Sequence, residues 1–420
     1  MQILIYSYNY YPEPIGIAPL MTELAEGLVQ KGHAVRVITG MPNYPERKIY
    51  ADYQGKWYVK EEINGVTVQR CFLRIRSQPN LLDRLLLELS FVLSSLPQAL
   101  NGWRPDIILV TVPPLFVTLP ASFLGWFYAC PVVLNVQDIL HEAAGRMGLI
   151  KSKLMVNLLK LVEKFAYKKA SHISVITDEF VNNLLVKGVL QEKITCIPNW
   201  VNVDFVYPLP KENNGFRIAH KLENKFVVMY SGNIALTQGL ETAIASAMKL
   251  AHIPDIIFVI VGETKALEQL DKYCQQYQVN NVLLLPLQPR KNLPEMLAAA
   301  DISLVLQKRH VLCFNMPSKI PLLLASGRPI IASVPGCGTA AKAIQESGGG
   351  IVVEPESPMA LADAVLKLYY EPCEMMTLGE KGRRFAVERY SGENAIAQYE
   401  NLFSQAIVNR VANLDSVPDS

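Results

Sequence analysis

Several short segments of this chain put chemically useful residues where apolar runs end. After residues 2–6 comes Tyr10-Tyr11-Pro12-Glu13-Pro14-Ile15-Gly16, which opens a helix. Gly16 there would let the backbone approach a phosphate at a helix N-terminus. After residues 132–136 comes Gln137-Asp138, a carboxylate at a strand's carboxyl end. A charge following a long apolar run is costly to leave idle, so it either caps the next turn or serves a ligand. Tyr230-Ser231-Gly232-Asn233 through Gln238-Gly239-Leu240 reads as strand, glycine loop and helix, a second phosphate-type corner. After residues 302–306, Lys308 and Arg309 add two cations. Pro317-Ser318-Lys319-Ile320 then opens an apolar helix, with Ser318 at the N-cap position and free backbone N–H groups beyond it. The set suits a phosphorylated ligand gathered between two halves of the chain.

Metal and disulfide chemistry fit less well. The seven cysteines are odd in number and form no CxxC pair, which points to a reducing cytoplasm. The six histidines include no HxxxH or HExxH, so no metal site is expected.

The elements that must position these residues alternate regularly. Strands are expected at 2–6, 34–39, 107–112, 132–136, 172–176 and 194–197, with a hairpin at 57–62 and 66–72. Helices are expected at 19–31, 81–100, 117–128 and 153–170, and from Asp178. The rhythm restarts with strands at 226–230, 256–261, 282–285, 302–306, 329–332 and 350–353. Continuous apolar strands between helices indicate doubly wound parallel sheets. In such sheets ligands bind beyond the carboxyl ends of the strands. The polar segment 198–224, rich in Asn, Pro and Lys, marks the expected boundary. It divides an N-terminal domain at 1–200 from a second domain at 205–390, with a last helix near 391–410 packing back on the first.

The chain has 420 residues, half of them apolar and 19% charged, with a net charge of +2. Mean hydropathy is +0.18. Disorder is excluded by this composition, and a nucleic-acid partner is not expected with so little positive charge. Met1-Gln2 runs straight into an apolar strand, which predicts no signal peptide. The charge-free stretch between Asp106 and Asp138 is long enough to span a bilayer, but Pro113, Pro114, Pro120 and Pro131 interrupt it.

In this order and spacing, the motifs resemble the retaining glycosyltransferases of family four, which have the GT-B fold. They are similar in particular to the bacterial colanic-acid and O-antigen type. The segments that carry the likeness are Tyr11–Gly16 (numbers 11–16), Asn135-Val136-Gln137-Asp138-Ile139 and Ile197-Pro198-Asn199-Trp200-Val201-Asn202. The others are Tyr230-Ser231-Gly232-Asn233-Ile234 with Gln238-Gly239-Leu240, Leu285-Pro286-Leu287-Gln288-Pro289, and Pro317-Ser318-Lys319-Ile320 with Gly327-Arg328-Pro329-Ile330. The resemblance implies an α/β protein of two Rossmann-like domains facing a central cleft. It also implies a nucleotide-sugar co-substrate on the second domain, an acceptor on the first, and neither metal nor cofactor. Carried over residue by residue, it nominates Asp138 and Lys319 as catalytic. Gly16, Gly232, Asn233, Gln238, Gly239, Gln288, Lys308, Arg309 and Ser318 are nominated for the donor. The sequence departs from the family pattern in two respects. Asn233 and Gln238 stand where relatives carry Arg and Lys, and the paired glutamates would fall near Phe314 and Leu322, which are not acidic. Lys308, Arg309 and Lys319 are therefore expected to form the cationic clamp. A degenerate scaffold of the same fold would show no turnover. An epimerase would want more carboxylates in the cleft, and a phosphorylase a cofactor lysine.

The acceptor is expected to be lipid-linked or a glycan. Residues 1–200 carry 20 Lys and Arg against 16 Asp and Glu, and residues 201–420 carry 20 against 22. Helix 81–100 is apolar most of the way round, with Arg70, Arg74, Arg76 and Arg84 beside it. Residues 146–169 hold seven basic residues and one acid. These features predict a cytoplasmic protein in peripheral contact with an anionic inner-membrane face.

Overall fold

The computed structural model describes residues 1–14, 16–77, 79, 81–138, 153–311 and 316–415. The chain divides into two compact units. One is Met1–Asn199 joined by the C-terminal segment from Glu393 onward, and the other is Trp200–Gly392.

The first unit is built on an eight-stranded sheet. Its strands are β1 (Gln2–Tyr6), β2 (Ala34–Gly40), β3 (Tyr58–Ile63), β4 (Val66–Cys71), β5 (Ile107–Val112), β6 (Val132–Val136), β7 (His172–Val175) and β8 (Ile194–Cys196). The spatial order is β3-β4-β2-β1-β5-β6-β7-β8. Only the β3–β4 pairing in that order is antiparallel. β5 and β6 are buried at every position, which is why their sequences are mostly apolar without alternation; β7 is also buried throughout but carries His172 and Ser174. The order reverses between β1 and β5, which makes their carboxyl ends the switch point where ligands gather in open sheets.

The charge-poor stretch folds as β5, a short turn of 3-10 helix, the helix Thr118–Phe127, and β6. No helix among the described residues is long and apolar enough to cross a membrane. The C-terminal helix Gly392–Asp415 is integral to the first unit. Glu400 accepts from Lys31 Nζ at 2.8 Å and meets His33 Nε2 at 2.9 Å. Tyr399 is buried against Asn135 of β6, and a Cβ on Gly27 would lie 2.4 Å from Ile396 Cδ1, so the helices touch closely.

The second unit carries a six-stranded, wholly parallel sheet. Its strands are β9 (Phe226–Ser231), β10 (Ile256–Gly262), β11 (Val282–Pro286), β12 (Ile302–Leu306), β13 (Ile330–Ser333) and β14 (Gly350–Val353), in the order β11-β10-β9-β12-β13-β14. The switch point lies between β9 and β12.

The polar segment read as a boundary is not a free linker. Val206, Phe216 and Leu222 sit in the second unit's core. Arg217, 3% exposed, donates to Asp301 at 2.6 Å, to Ala299 O at 2.9 Å and to the carbonyls of Leu222 and Lys225. Asp301 also accepts from Val227 N at 2.8 Å and Lys211 Nζ at 2.6 Å. The segment's polar residues thus tie it to the start of β9. Removing one partner of such a buried pair strands the other charge. Asp301→Ala is expected to destabilise the second unit by about 3–5 kcal/mol, read as a lower denaturant midpoint. A loss under about 1 kcal/mol would show that the pair is dispensable.

Candidate functional site

At the carboxyl ends of β9 and β12 the second unit gathers six of the nominated residues. Lys319 begins the helix Lys319–Ala325. Its Nζ donates to Ser231 O at 2.8 Å and lies 3.6 Å from the centre of the Tyr230 ring. A Cβ on Gly232 would stand 3.4 Å from the same Nζ. Gly232 has φ +122°, a conformation reserved for glycine, so the loop turns there and leaves room for the ammonium. No carboxylate among the described residues pairs with Lys319. Burial pushes its pKa down to about 7.

Tyr230 is the platform of this corner. Its hydroxyl donates to Asn233 O at 2.7 Å and is held by Gln238 Oε1, which also accepts from Ala235 N at 3.1 Å. Burial raises the Tyr230 hydroxyl's pKa, so it stays a neutral donor. The side chain of Gln238 is therefore committed to shaping the loop, while Asn233 is exposed. Lys308 closes the far side. Its N–H donates to Thr237 O at 2.8 Å and its stem lies against Gly239.

Three nominated residues lie apart from this cluster. Arg309 pairs with Glu354 at 3.0 Å, on the side of β14. Gln288 follows the edge strand β11, two strands from β9, and donates to Pro286 O at 2.9 Å. Ser318 occupies the N-cap position but makes no capping bond, because its own backbone is already helical (φ −59°, ψ −16°) and its side chain is exposed. The N-cap role expected of Ser318 is thus corrected: a cap residue needs an extended backbone to fold its oxygen over the first turn.

In the first unit Gly16 has φ +70° and open space where a Cβ would stand. The loop that carries it is pinned by a buried carboxylate that the sequence reading did not single out. Glu13 accepts from Asn43 N at 2.8 Å, Tyr44 N at 2.9 Å and Asn9 Nδ2 at 2.6 Å. It thereby joins the loops that follow β1 and β2.

Asp138 is exposed just beyond β6. Its neighbour Gln137 donates to Asn135 Oδ1 at 2.7 Å and accepts from Asn199 Nδ2 at 2.8 Å, a chain of amides that holds this strand end. Glu88 was also missed. It faces the turn after β5 with Phe116 N at 3.4 Å, and burial raises its pKa to about 7. Its signal in sequence is slight, one of two acids within an apolar helix.

Of the arginines expected at a membrane, Arg70 is corrected. It is fully buried, paired with Glu61 and bonded to Tyr11 O at 2.6 Å, so it braces the β3–β4 hairpin. Arg74 and Arg84 are exposed, and Arg76 reaches Asp83 at 3.4 Å. Among the described residues no three His, Cys, Asp or Glu side chains gather as a metal-holding group.

Comparisons with known proteins bear on both units. The family model "Glycosyl transferase 4-like domain" matches residues 16–200, and "Glycosyl transferases group 1" matches residues 212–385. WcaI of Escherichia coli (strain K12), whose name places it as a glycosyl transferase of colanic acid biosynthesis, is 32% identical over 409 residues. The match covers 96% of this chain and 99% of that protein. Among solved structures, Anabaena Alr3699/HepE in complex with UDP superposes with a TM-score of 0.71 at 15% identity, covering 96% of this chain and all of that one. Its complex with UDP-glucose gives 0.68 at 16% identity with the same coverage. These likenesses establish the GT-B fold.

Lys319 also leaves a mark on stability. The unfolded chain holds the lysine proton up to about pH 10.5 and the folded chain only to about 7, so folding expels a proton between those values. Stability therefore rises with pH across that window. Lys319→Met is expected to remove that rise, measured by thermal unfolding at pH 7 and near pH 10. Identical pH dependence in the two proteins would contradict the burial of the ammonium.

Proposed function

The chain belongs to the glycosyltransferases that join a glycosyl transferase 4-like domain to a group 1 domain, and on that premise we propose that it transfers a sugar from a nucleotide donor of the uridine diphosphate type. The acceptor is a lipid-linked or glycan chain in polysaccharide or glycolipid assembly, and the anomeric configuration is retained. The observation that carries this reading is the uncompensated Lys319 ammonium beside Gly232 and Ser231 O. Support for the donor class comes from the UDP and UDP-glucose held by the Anabaena protein, and for the pathway from the name of the Escherichia coli relative.

As the bond from sugar to diphosphate breaks, negative charge grows on the leaving oxygens. A lysine already stripped of water meets that charge without having to shed a hydration shell. Lys308, across the same loop, supplies a second cation. In the first unit, Gly16 is assigned to a phosphate group and Asp138 to the sugar or the acceptor hydroxyl. Retention follows when the acceptor oxygen attacks from the face on which the diphosphate leaves, with a donor phosphate oxygen taking its proton. Charge on the diphosphate is assigned to side chains, so turnover should persist in a chelator.

A panel of nucleotide sugars with membrane-lipid acceptors, read by nucleoside diphosphate release and product mass spectrometry, tests the activity. Release with at least one donor, and an axial or equatorial product linkage matching that donor, is expected. Absence of release with every donor would instead support a binding protein. Lys319→Ala should weaken donor binding about 10- to 150-fold, the worth of one charge-assisted hydrogen bond of about 1.5–3 kcal/mol. Unchanged affinity would remove Lys319 from the donor site.

We also assign to the first unit a peripheral contact with an anionic bilayer. The helix Thr118–Phe127 exposes Phe123, Trp126 and Phe127, at 41%, 75% and 55%. Leu89 and Leu93 are exposed on the helix Leu81–Ala99, which packs beside it. Exposed aromatic and aliphatic residues gathered on one face suit a membrane interface. Phe123→Ser with Trp126→Ser should reduce sedimentation with anionic vesicles about tenfold or more; unaltered sedimentation would rule out this face.

A further inference from the structure

Beside that aromatic face lies a groove of about 1000 Å³ that the transfer reaction does not use. It runs between the helices Lys153–Lys169 and Asp178–Val186, and the loop before β8 closes its end. Five lysines line it: Lys160, Lys164, Lys168, Lys187 and Lys193. Lys160, Lys164 and Lys168 recur at every fourth residue, so the helix presents them as one row. The acid that lines the groove, Glu163, is already engaged. It accepts from Lys187 Nζ at 3.1 Å and from the Tyr167 hydroxyl at 2.8 Å. Lys193 donates to Ala170 O at 3.2 Å. The row on the helix is thus the groove's uncompensated charge.

One rim is apolar: Val186 and Leu190 line the groove and are exposed at 89% and 59%. A soluble anion needs cations but has no use for an exposed aliphatic rim. An anionic lipid uses both, the phosphate among the lysines and the upper chain against the rim. Chain direction fixes where the groove lies. The last turn of Lys153–Lys169 leads into β7, and the loop through Lys193 leads into β8, so this end of the groove is at the amino ends of those strands. Asp138 and the Gly16 loop follow strands and lie at the carboxyl ends.

We propose that this groove is a headgroup site for an anionic phospholipid, which orients the first unit on the bilayer. The inference rests on the membrane contact proposed above and adds a defined lipid site to it. The test uses the full chain with vesicles of phosphatidylcholine alone or doped with phosphatidylglycerol, and with short-chain phosphatidylglycerol below its micelle concentration. A triple variant, Lys160→Gln, Lys164→Gln and Lys168→Gln, is compared with a charge-matched control in the second unit, Lys249→Gln, Lys265→Gln and Lys272→Gln. All six side chains are exposed, so folding should survive, and thermal unfolding checks that it does. The expected result is a preference of the wild type for anionic vesicles that falls about tenfold or more in the groove variant and persists in the control. Short-chain lipid should shift the groove's amide resonances, and inorganic phosphate at equal concentration should not. An undiminished preference in the groove variant, an equal fall in the control, or equal occupancy by phosphate would each overturn the proposal. Loss of vesicle binding in Phe123→Ser with Trp126→Ser, while short-chain lipid preference remains, leaves the groove site standing. If no vesicle of any composition binds but the short-chain lipid still occupies the groove, the bilayer contact fails and the lipid site does not.

Discussion

A lysine ammonium held out of water without a carboxylate is the constraint around which the second unit's site is arranged. An isolated cation in a low-dielectric setting either finds an anion or gives up its proton. Lys319 has the face of Tyr230 and one backbone carbonyl, which steady it without neutralising it. The loop geometry follows from that need. Gly232 turns where a side chain would strain the backbone, and Gln238 spends its carboxamide holding the Tyr230 hydroxyl. What the corner lacks is negative charge, and a diphosphate would bring it.

This economy also accounts for the departure from the family pattern. With Asn233 and Gln238 uncharged, positive charge reaches the loop from outside it, through Lys308 and through Lys319 on the helix Lys319–Ala325. Both follow β12, and the loop follows β9, so the pairing of β9 with β12 brings the two lysines to the loop. The first unit repeats the logic with a different brace. Buried Glu13 gathers three N–H donors and fixes the loop that presents Gly16.

Much of the framework was legible in the sequence because buried parallel strands are apolar throughout and glycine loops punctuate them. β5, β6, β9 and β12 fall where their apolar runs do. The polar segment before β9 holds the division between the units, but its polarity is partly internal: Arg217 finds its partners in carbonyls and Asp301. The helix Pro372–Tyr390 was hidden by its glycines. At Gly379 a Cβ would lie 2.3 Å from Gly327 O, and at Gly382 it would lie 3.2 Å from Gly349 Cα, so these residues permit close packing rather than ending the helix. In the site, the residues at strand ends could be nominated singly. The contacts of Lys319 with Tyr230 and Ser231 could not, since Ser231 and Lys319 lie 88 positions apart in sequence. The N-cap reading of Ser318 failed because residue type alone does not fix the backbone conformation that capping requires.

The central claim is that Lys319 is poised to become charged against a donor diphosphate. Calorimetry of UDP binding at pH 8, in buffers of differing ionisation enthalpy, measures the protons taken up with the ligand. With a lysine pKa of about 7 in the free protein, close to one proton should be taken up per UDP bound. Lys319→Arg, which stays charged throughout, should bind with almost none. Binding of UDP by the wild type without proton uptake, or the same uptake in Lys319→Arg, would contradict the account.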